Sequence, residues 1–166
     1  DMDSHQHFFA SLDPKPDGVI LAYGILGDQL QAQQDPAQAR AILETNFLSA
    51  ASILEVIAAD MEQKGRGFII GFSSVAGERG RKSNYIYGAA KAGFTAYLSG
   101  LRHRLHSAGI QVLTVLPGFV ATKMTAHLGL SGPLVATPEQ VAHSVHKAWK
   151  RRQNTLYTKG VWRLIM

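Results

Sequence analysis

The chain of 166 residues encodes a doubly wound α/β domain, a parallel sheet covered on both faces. Three short apolar runs of strand length are separated by segments with helical periodicity, and those segments are far too long to be hairpin loops. Parallel strands require such crossovers, and the crossing helices cover the sheet. One domain over residues 1–166 with right-handed connections is the expected architecture.

Each element has its own warrant. "GVILAYG", residues 18–24, is an apolar run bounded by glycines and predicts a buried strand. A long helix follows, with Asp35 as N-cap, Pro36 at the first position, apolar residues at helical spacing and Gly65 as the stop. "GFIIGFS" predicts the second strand, and a helix from about Asn84 to His106 ends at "SAG". "IQVLTVLPG" is the third strand running into a loop. Thr137 caps a helix over 137–152 with Pro138 at its first position, and "TLYT" is a last short strand. The stretches 24–35 and 117–136 are expected to be loops, the second long enough to serve as a substrate lid.

Composition excludes several classes. With 46% hydrophobic and 17% charged residues, the chain has the material for a packed core and is not a disordered tail. It has no cysteine, so disulfide scaffolds, thiolate zinc sites and cysteine nucleophiles are excluded, and a reducing cytoplasm is permitted. No continuous apolar run approaches membrane-span length, and the first residues lack a signal-peptide pattern, so the chain reads as soluble. The formal charge is +5, densest at Lys147, Lys150, Arg151 and Arg152. These cations complement a helix C-terminus or meet an anionic lipid surface or phosphorylated substrate. Nucleic acid is not expected, because no aromatic-interleaved basic motif accompanies the charge. His103/His106 and His143/His146 have a helical spacing, but without nearby acidic partners they read as a solvated face, and no metal is expected.

The chemistry concentrates in "SSVAGERGRKSNYIYGAAKAG", residues 73–93. Tyr87 and Lys91 stand four residues apart on a helix, hence on one face, an ammonium beside a phenol. A fixed positive charge there is expected to lower the tyrosine pKa from about 10. Ligands of such sheets bind beyond the carboxyl ends of the strands. Those ends are Ala22-Tyr23-Gly24, Ser73-Ser74 and Pro117-Gly118.

In that arrangement the sequence resembles the classical short-chain dehydrogenase/reductases, with a Rossmann-like fold. The resemblance runs over nearly the whole chain through Tyr87 and Lys91, Ser74 thirteen residues before the tyrosine, Asn46 in the preceding helix, and Pro117-Gly118 with Thr122 after the next strand. It implies a carbonyl reductase using NAD or NADP on a small carbonyl or alcohol substrate. Tyr87 would be the general acid/base, Lys91 the ribose holder, Ser74 the group stabilising the carbonyl oxygen, and Asn46 the holder of a water linking Lys91 to solvent. Ala22, Tyr23, Gly24, Pro117, Gly118 and Thr122 would bind cofactor, with Asp1 facing the adenine. Plainer roles stay open. Ser73 competes with Ser74, Asn46 could bend or cap its helix, Thr122 could cap a short helix, and Asp1 could be merely solvated. The family also implies a homodimer or homotetramer through the helices near 36–63 and 84–106, where Ala89, Ala92, Gly93, Ala96 and Gly100 permit close approach.

Two departures qualify the resemblance. Ala22-Tyr23-Gly24 replaces the usual Asn-Ala-Gly. With "ILGDQ" and the stretch before Lys91, it looks most like the branch that reduces a 2-keto-pentose on decaprenyl phosphate. That branch implies a lipid-linked keto-sugar substrate and a cytoplasmic enzyme at the inner membrane surface, which the basic helix end and "VWRLIM" would suit. Second, no glycine-rich turn opening a helix is present, so the chain is expected to be an N-terminally truncated fragment or a scaffold that has lost its cofactor. A sugar-nucleotide epimerase or dehydratase and a non-catalytic binding protein are the rival functions.

Overall fold

A computed structural model describes residues 2–126, 129 and 131–166; Asp1, and with it the adenine-facing role expected of it, lies outside the described residues. Four parallel strands, β1 (Gly18–Leu21), β2 (Phe68–Phe72), β3 (Gln111–Leu116) and β6 (Thr155–Tyr157), form the main sheet in the order β1-β2-β3-β6. Their register runs Leu21 to Gly71 and Gly71 to Thr114, so the first three strands end level with one another.

The connection from β1 to β2 is the long helix expected from its caps. Asp35 is extended and its Oδ1 accepts the Ala37 N–H at 2.9 Å. α3 (Pro36–Leu43) runs through one wide π turn (Glu44–Leu48) into α4 (Ser49–Lys64). Gly65 ends it at φ 64°, the left-handed conformation that glycine adopts without penalty. The stretch Pro36–Lys64 is long and apolar enough to cross a membrane by composition. Its apolar stripe is spent on the core instead, through Ile53, Leu54, Ile57, Ala58 and Met61.

Strand alternation divides the core in two. Leu21, Ile69 and Val112 point to the face packed by α1 (His5–Ala10), α4 and α5 (Tyr85–Leu105). Ile70, Leu113 and Val115 point to the other face, packed by Val141, Val145 and Ala148 of α6 (Pro138–Lys150). Thr137 and Gln140 start α6 with a reciprocal capping box. The expectation of uniformly right-handed crossovers needs correction. The chain steps in one direction from β1 to β6, yet α4 and α5 lie on one face and α6 on the other. The last crossover therefore has the opposite hand to the first two. The long excursion after β3 carries the chain to the other face before α6 begins.

Both expected loops contain structure. Within 24–35 lies α2 (Gln29–Gln34), capped by Asp28, whose carboxylate accepts the Leu30 and Gln31 N–H groups. Six residues are too few to display a period. Within 117–136, β4 (Phe119–Val120) and β5 (Val135–Ala136) pair in parallel as a two-stranded sheet. The first strand stops at Leu21, short of Gly24. α7 (Trp162–Ile165) buries Trp162 against Val75 and Leu116, so the apolar run expected to suit a membrane surface is partly core.

Candidate active site

The site is assembled at the level ends of β1, β2 and β3. Past β2 the ladder continues, with the Ser73 N–H donating to Val115 O at 2.9 Å and the Val75 N–H to Pro117 O at 3.0 Å. Those bonds hold Ser73-Ser74 beside Pro117-Gly118. Ser74 is extended and opens a 3₁₀ turn, Val75–Gly77, its Oγ accepting the Ala76 N–H at 3.1 Å.

That turn lies directly on α5. A Cβ at Gly77 would sit 2.6 Å from Ala92 N, and one at Gly88 would sit 2.7 Å from Ala76 O, so both positions require glycine for the backbones to touch. Neither glycine stands out in the sequence among its small neighbours; Gly77 follows Ser74 by three residues and Gly88 follows Tyr87 directly, and that placement is the only signal they carry. Ser73 adds a second fastening. Its Oγ donates to Lys91 O at 2.8 Å and lies 2.6 Å from Thr95 Oγ1. The two serines thus divide the work: Ser73 pins the helix, while Ser74, whose Oγ donates to Pro117 O at 3.5 Å, stands near enough to the Tyr87 phenol to oppose its upward shift.

Lys91 is 4% exposed, and its Nζ donates to Phe72 O at 2.9 Å. It lies 5.8 Å from the centre of the Tyr87 ring. The expectation that Lys91 lowers the Tyr87 pKa is overturned. Burial pushes the Tyr87 phenol above its ordinary value, and hydrogen bonding with Ser74 opposes without reversing the shift. Burial likewise holds the Lys91 ammonium down, to about 8. Helical spacing put the two side chains together, but the cost of desolvating them outweighs their mutual influence.

Asn46 stands in the π turn, 1% exposed. Its Oδ1 accepts the Ile25 N–H at 3.1 Å, and its Nδ2 donates to Ile25 O and Ile42 O, both at 2.8 Å. The side chain therefore fastens the loop after β1. A Cβ on Gly24 would lie 2.6 Å from Asn46 Oδ1 and 3.6 Å from Lys91 Nζ, which brings that loop, Asn46 and Lys91 to one point. Ala22 and Tyr23 are exposed beside it, and the Tyr23 hydroxyl lies 3.0 Å from Ser49 Oγ. Gln29, unremarked in the sequence, reaches α5 from the first position of α2, where its Oε1 accepts the Ile86 N–H at 3.0 Å.

Pro117 and Gly118 end β3 as expected, but Gly118 has an internal reason to be glycine. A Cβ there would fall 2.0 Å from the indole Nε1 of Trp162. Thr122 is exposed in the turn after β4. Its N–H donates to Thr125 Oγ1 at 3.2 Å, so the cap runs from Thr125 to Thr122.

Cavities open at both ends of the sheet. The larger, about 580 Å³, opens at the opposite end of the sheet between Arg66, Phe68, Trp149 and Arg152, away from every group named above. The smaller, about 390 Å³, is lined by Gly24, Ile25, Leu26, Gly27 and Met124 and adjoins Lys91 through Gly24. We take the smaller as the site, because convergent polar groups and not volume mark a reaction centre. No cluster of metal-ligating side chains occurs among the described residues.

The profile of the short chain dehydrogenase family matches residues 7–131. An uncharacterized oxidoreductase of Mycobacterium tuberculosis is 44% identical over 151 residues, 89% of this chain and 60% of that protein. A ketoacyl reductase of Nostoc is 34% identical over 140 residues, 82% of this chain and 49% of that protein. This chain thus spans about half to three-fifths of the length of these relatives. Among solved structures, a short-chain dehydrogenase from Sphingobium yanoikuyae in complex with NADPH superposes with a TM-score of 0.84 at 23% identity, over 95% of this chain and 62% of that one. At that identity the likeness is one of fold.

Proposed function

The chain belongs to the short-chain dehydrogenase family, and from that premise we propose that it forms the proton-transfer half of a nicotinamide-dependent carbonyl reductase. The observation that carries the proposal is the convergence of Ser74, Tyr87 and Lys91 at the strand ends, with Tyr87 held protonated by burial. A phenol that keeps its proton at neutral pH can give it to an oxygen that is becoming an alkoxide. Tyr87 transfers the proton to the carbonyl oxygen, and Ser74 donates a hydrogen bond to the same oxygen as charge develops there.

The residues present fit the nicotinamide-ribose end of NAD or NADP. The Lys91 ammonium has three N–H groups, and Phe72 O takes one, leaving donors for ribose hydroxyls. Gly24 presents bare backbone next to that nitrogen. Ala22, Tyr23, Pro117, Gly118 and Thr122 would border the ligand, and Asn46 would hold the loop that does so. When bound, the reduced nicotinamide supplies a hydride to the carbonyl carbon. With the Tyr87 proton the product is an alcohol, and tyrosinate is reprotonated from solvent.

The finer reading is a hydroxylated substrate such as a 2-keto sugar on a lipid phosphate, supported by Ala22-Tyr23-Gly24 and "ILGDQ". A cytoplasmic location fits a chain without cysteine. Pairing of two copies through α4 and α5 completes the proposal.

Calorimetric titration of NADH and NADPH into the full gene product, with turnover assays on a carbonyl panel, tests the reading. Tyr87→Phe is expected to lower turnover by about 10²- to 10⁴-fold with cofactor affinity unchanged. A variant that keeps more than about a tenth of wild-type turnover removes Tyr87 from the mechanism.

A further inference from the structure

The cavity of about 580 Å³ at the far end of the sheet is lined by two kinds of side chain. Phe68 and Trp149 bring aromatic rings, their centres 5.0 Å apart and their planes tilted by 51°. Arg66, Lys150 and Arg152 bring three cations, against the single carboxylate of Asp17. The volume falls within the range of small-molecule sites, about 300–1,000 Å³.

The plain reading of cations at the end of a helix is that they cap it. Here the cap is made without their side chains. At the end of α6 the Arg151 N–H donates to Lys147 O at 3.2 Å, the Gln153 N–H to Ala148 O at 3.0 Å and the Arg152 N–H to Trp149 O at 2.9 Å. Gln111 Nε2 gives Trp149 O a second donor at 3.2 Å. The Lys150 ammonium has no hydrogen-bond or ion-pair partner among the described residues. Arg152 uses one N–H on Gly109 O, 3.2 Å away, and keeps the rest of its guanidinium donors. Arg66 pairs with Asp17 at 3.3 Å, but both side chains are about three-quarters exposed, at 74% and 78%, and a pair so wet is weak.

Arg152 is also, among the described residues, the one residue other than glycine with a left-handed backbone, at φ 52°. It directly follows the C-cap of α6, the place where glycine closes a helix without strain. Arginine at that place brings backbone strain together with a cation facing the cavity, and such outliers gather at ligand sites.

We propose that this cavity is a second ligand site, separate from the reductase centre, and that it takes a mononucleotide, a planar base carrying a phosphate monoester. Three cations against one carboxylate leave an excess of two positive charges, matched by the about −1.5 to −2 of a phosphate monoester at neutral pH. The guanidinium groups and Lys150 hold the phosphate, and the base lies against Trp149. The Asp17 carboxylate and Gln111 Oε1, which accepts no hydrogen bond among the described residues, are acceptors for the hydroxyl and amino groups of a nucleoside. Inorganic phosphate would leave the rings and these acceptors unused, and an uncharged nucleoside would leave the cations unused. The proposal does not depend on the reductase reading, since β2 and β3 begin at this cavity and run away from it to Ser73 and Pro117.

The test titrates AMP, GMP, CMP and UMP separately into the full gene product, with the indole N–H resonance of Trp149, assigned through Trp149→Phe, as the local readout. At least one nucleotide is expected to move that resonance with a dissociation constant below about 1 mM, and its nucleoside and inorganic phosphate to bind at least about tenfold more weakly. Arg152→Gly keeps the helix end and removes the cation. It is expected to weaken the nucleotide at least about tenfold without lowering the melting temperature, and Lys150→Gln to weaken it likewise. Nucleotides that leave the Trp149 resonance unmoved, or that move only resonances of the nicotinamide site, overturn the proposal. So does inorganic phosphate binding as tightly as the nucleotide, or an Arg152→Gly protein that loses stability and keeps the affinity. Binding to phosphatidylserine vesicles with no response to any nucleotide assigns the cations to a membrane surface and overturns it as well.

Discussion

Tyr87 and Lys91 show how far a residue pattern carries. Their spacing places them on one face, yet each pKa is governed by burial, and the shifts run in opposite directions, up for the phenol and down for the ammonium. Both shifts favour the uncharged form, which suits a proton donor but burdens a lysine meant to hold charge. Because Lys91 falls from 10.5 to about 8, the cost of burying its charge is fully present below about 8. Between about 8 and 10.5 the unfolded chain binds more protons than the folded one, so this contribution to stability rises with pH. Lys91→Met is expected to stabilise the fold at pH 7 by about 1–2 kcal/mol, the desolvation relieved less the lost bond to Phe72 O. Denaturant unfolding of both proteins at several pH values checks this, since only the wild type should gain stability across that window through this group. The same variant should lose cofactor affinity.

Among the elements, the contact between the 3₁₀ turn and α5 decides whether Ser74 meets Tyr87 at all. Glycine inside a helix ordinarily costs roughly 0.5–1 kcal/mol relative to alanine. At Gly88 that sign should reverse, because a Cβ there would lie 2.7 Å from the backbone oxygen of Ala76, which cannot swing aside as a side chain would. Gly88→Ala is expected to lower the melting temperature and to cut turnover by displacing Ser74, and a stabilised variant would show that the turn gives way. α5 is further tied down by Arg102, which donates to Val112 O at 2.9 Å and to Asn154 O at 2.8 Å. A helix fixed at its first turn, its middle and its last turn is a rigid mount for the proton donor proposed at Tyr87.

At the scale of the molecule, two surfaces matter. β1 forms one edge of the sheet, and Ile20 on it is 59% exposed although its neighbours on β2 and β3 are buried. An apolar edge strand invites pairing with other chains. Ile20→Lys should slow aggregation of the 166-residue chain, followed by light scattering, with little change in its melting temperature. The second surface is the outer side of α5, where Ala89, Ala96 and Gly100 are exposed and Leu48 lies uncovered near α4. Size-exclusion chromatography with light scattering is expected to show a dimer, and Ala96→Arg a monomer, since a long charged side chain prevents close approach of the helices.

Element identity was local information. Asp35, Pro36 and Gly65 delimit one helix, Thr137 and Pro138 start another, and strand alternation names the buried runs, because caps and periodicity act over a few residues. The candidate residues Ser74, Tyr87 and Lys91 were equally easy to single out, being a fixed spacing on one helix plus a strand-end serine. Other features required the assembled chain. The reversed hand of the last crossover depends on which face α6 reaches, and α2 and the β4-β5 pair are too short to leave a period. The division of labour between Ser73 and Ser74, the glycine contacts at 77 and 88, the indole over Gly118 and the reach of Gln29 to Ile86 join residues far apart in sequence. So do the pKa shifts, because desolvation measures everything packed around a group, and a neighbour four residues away is only one part of that surrounding.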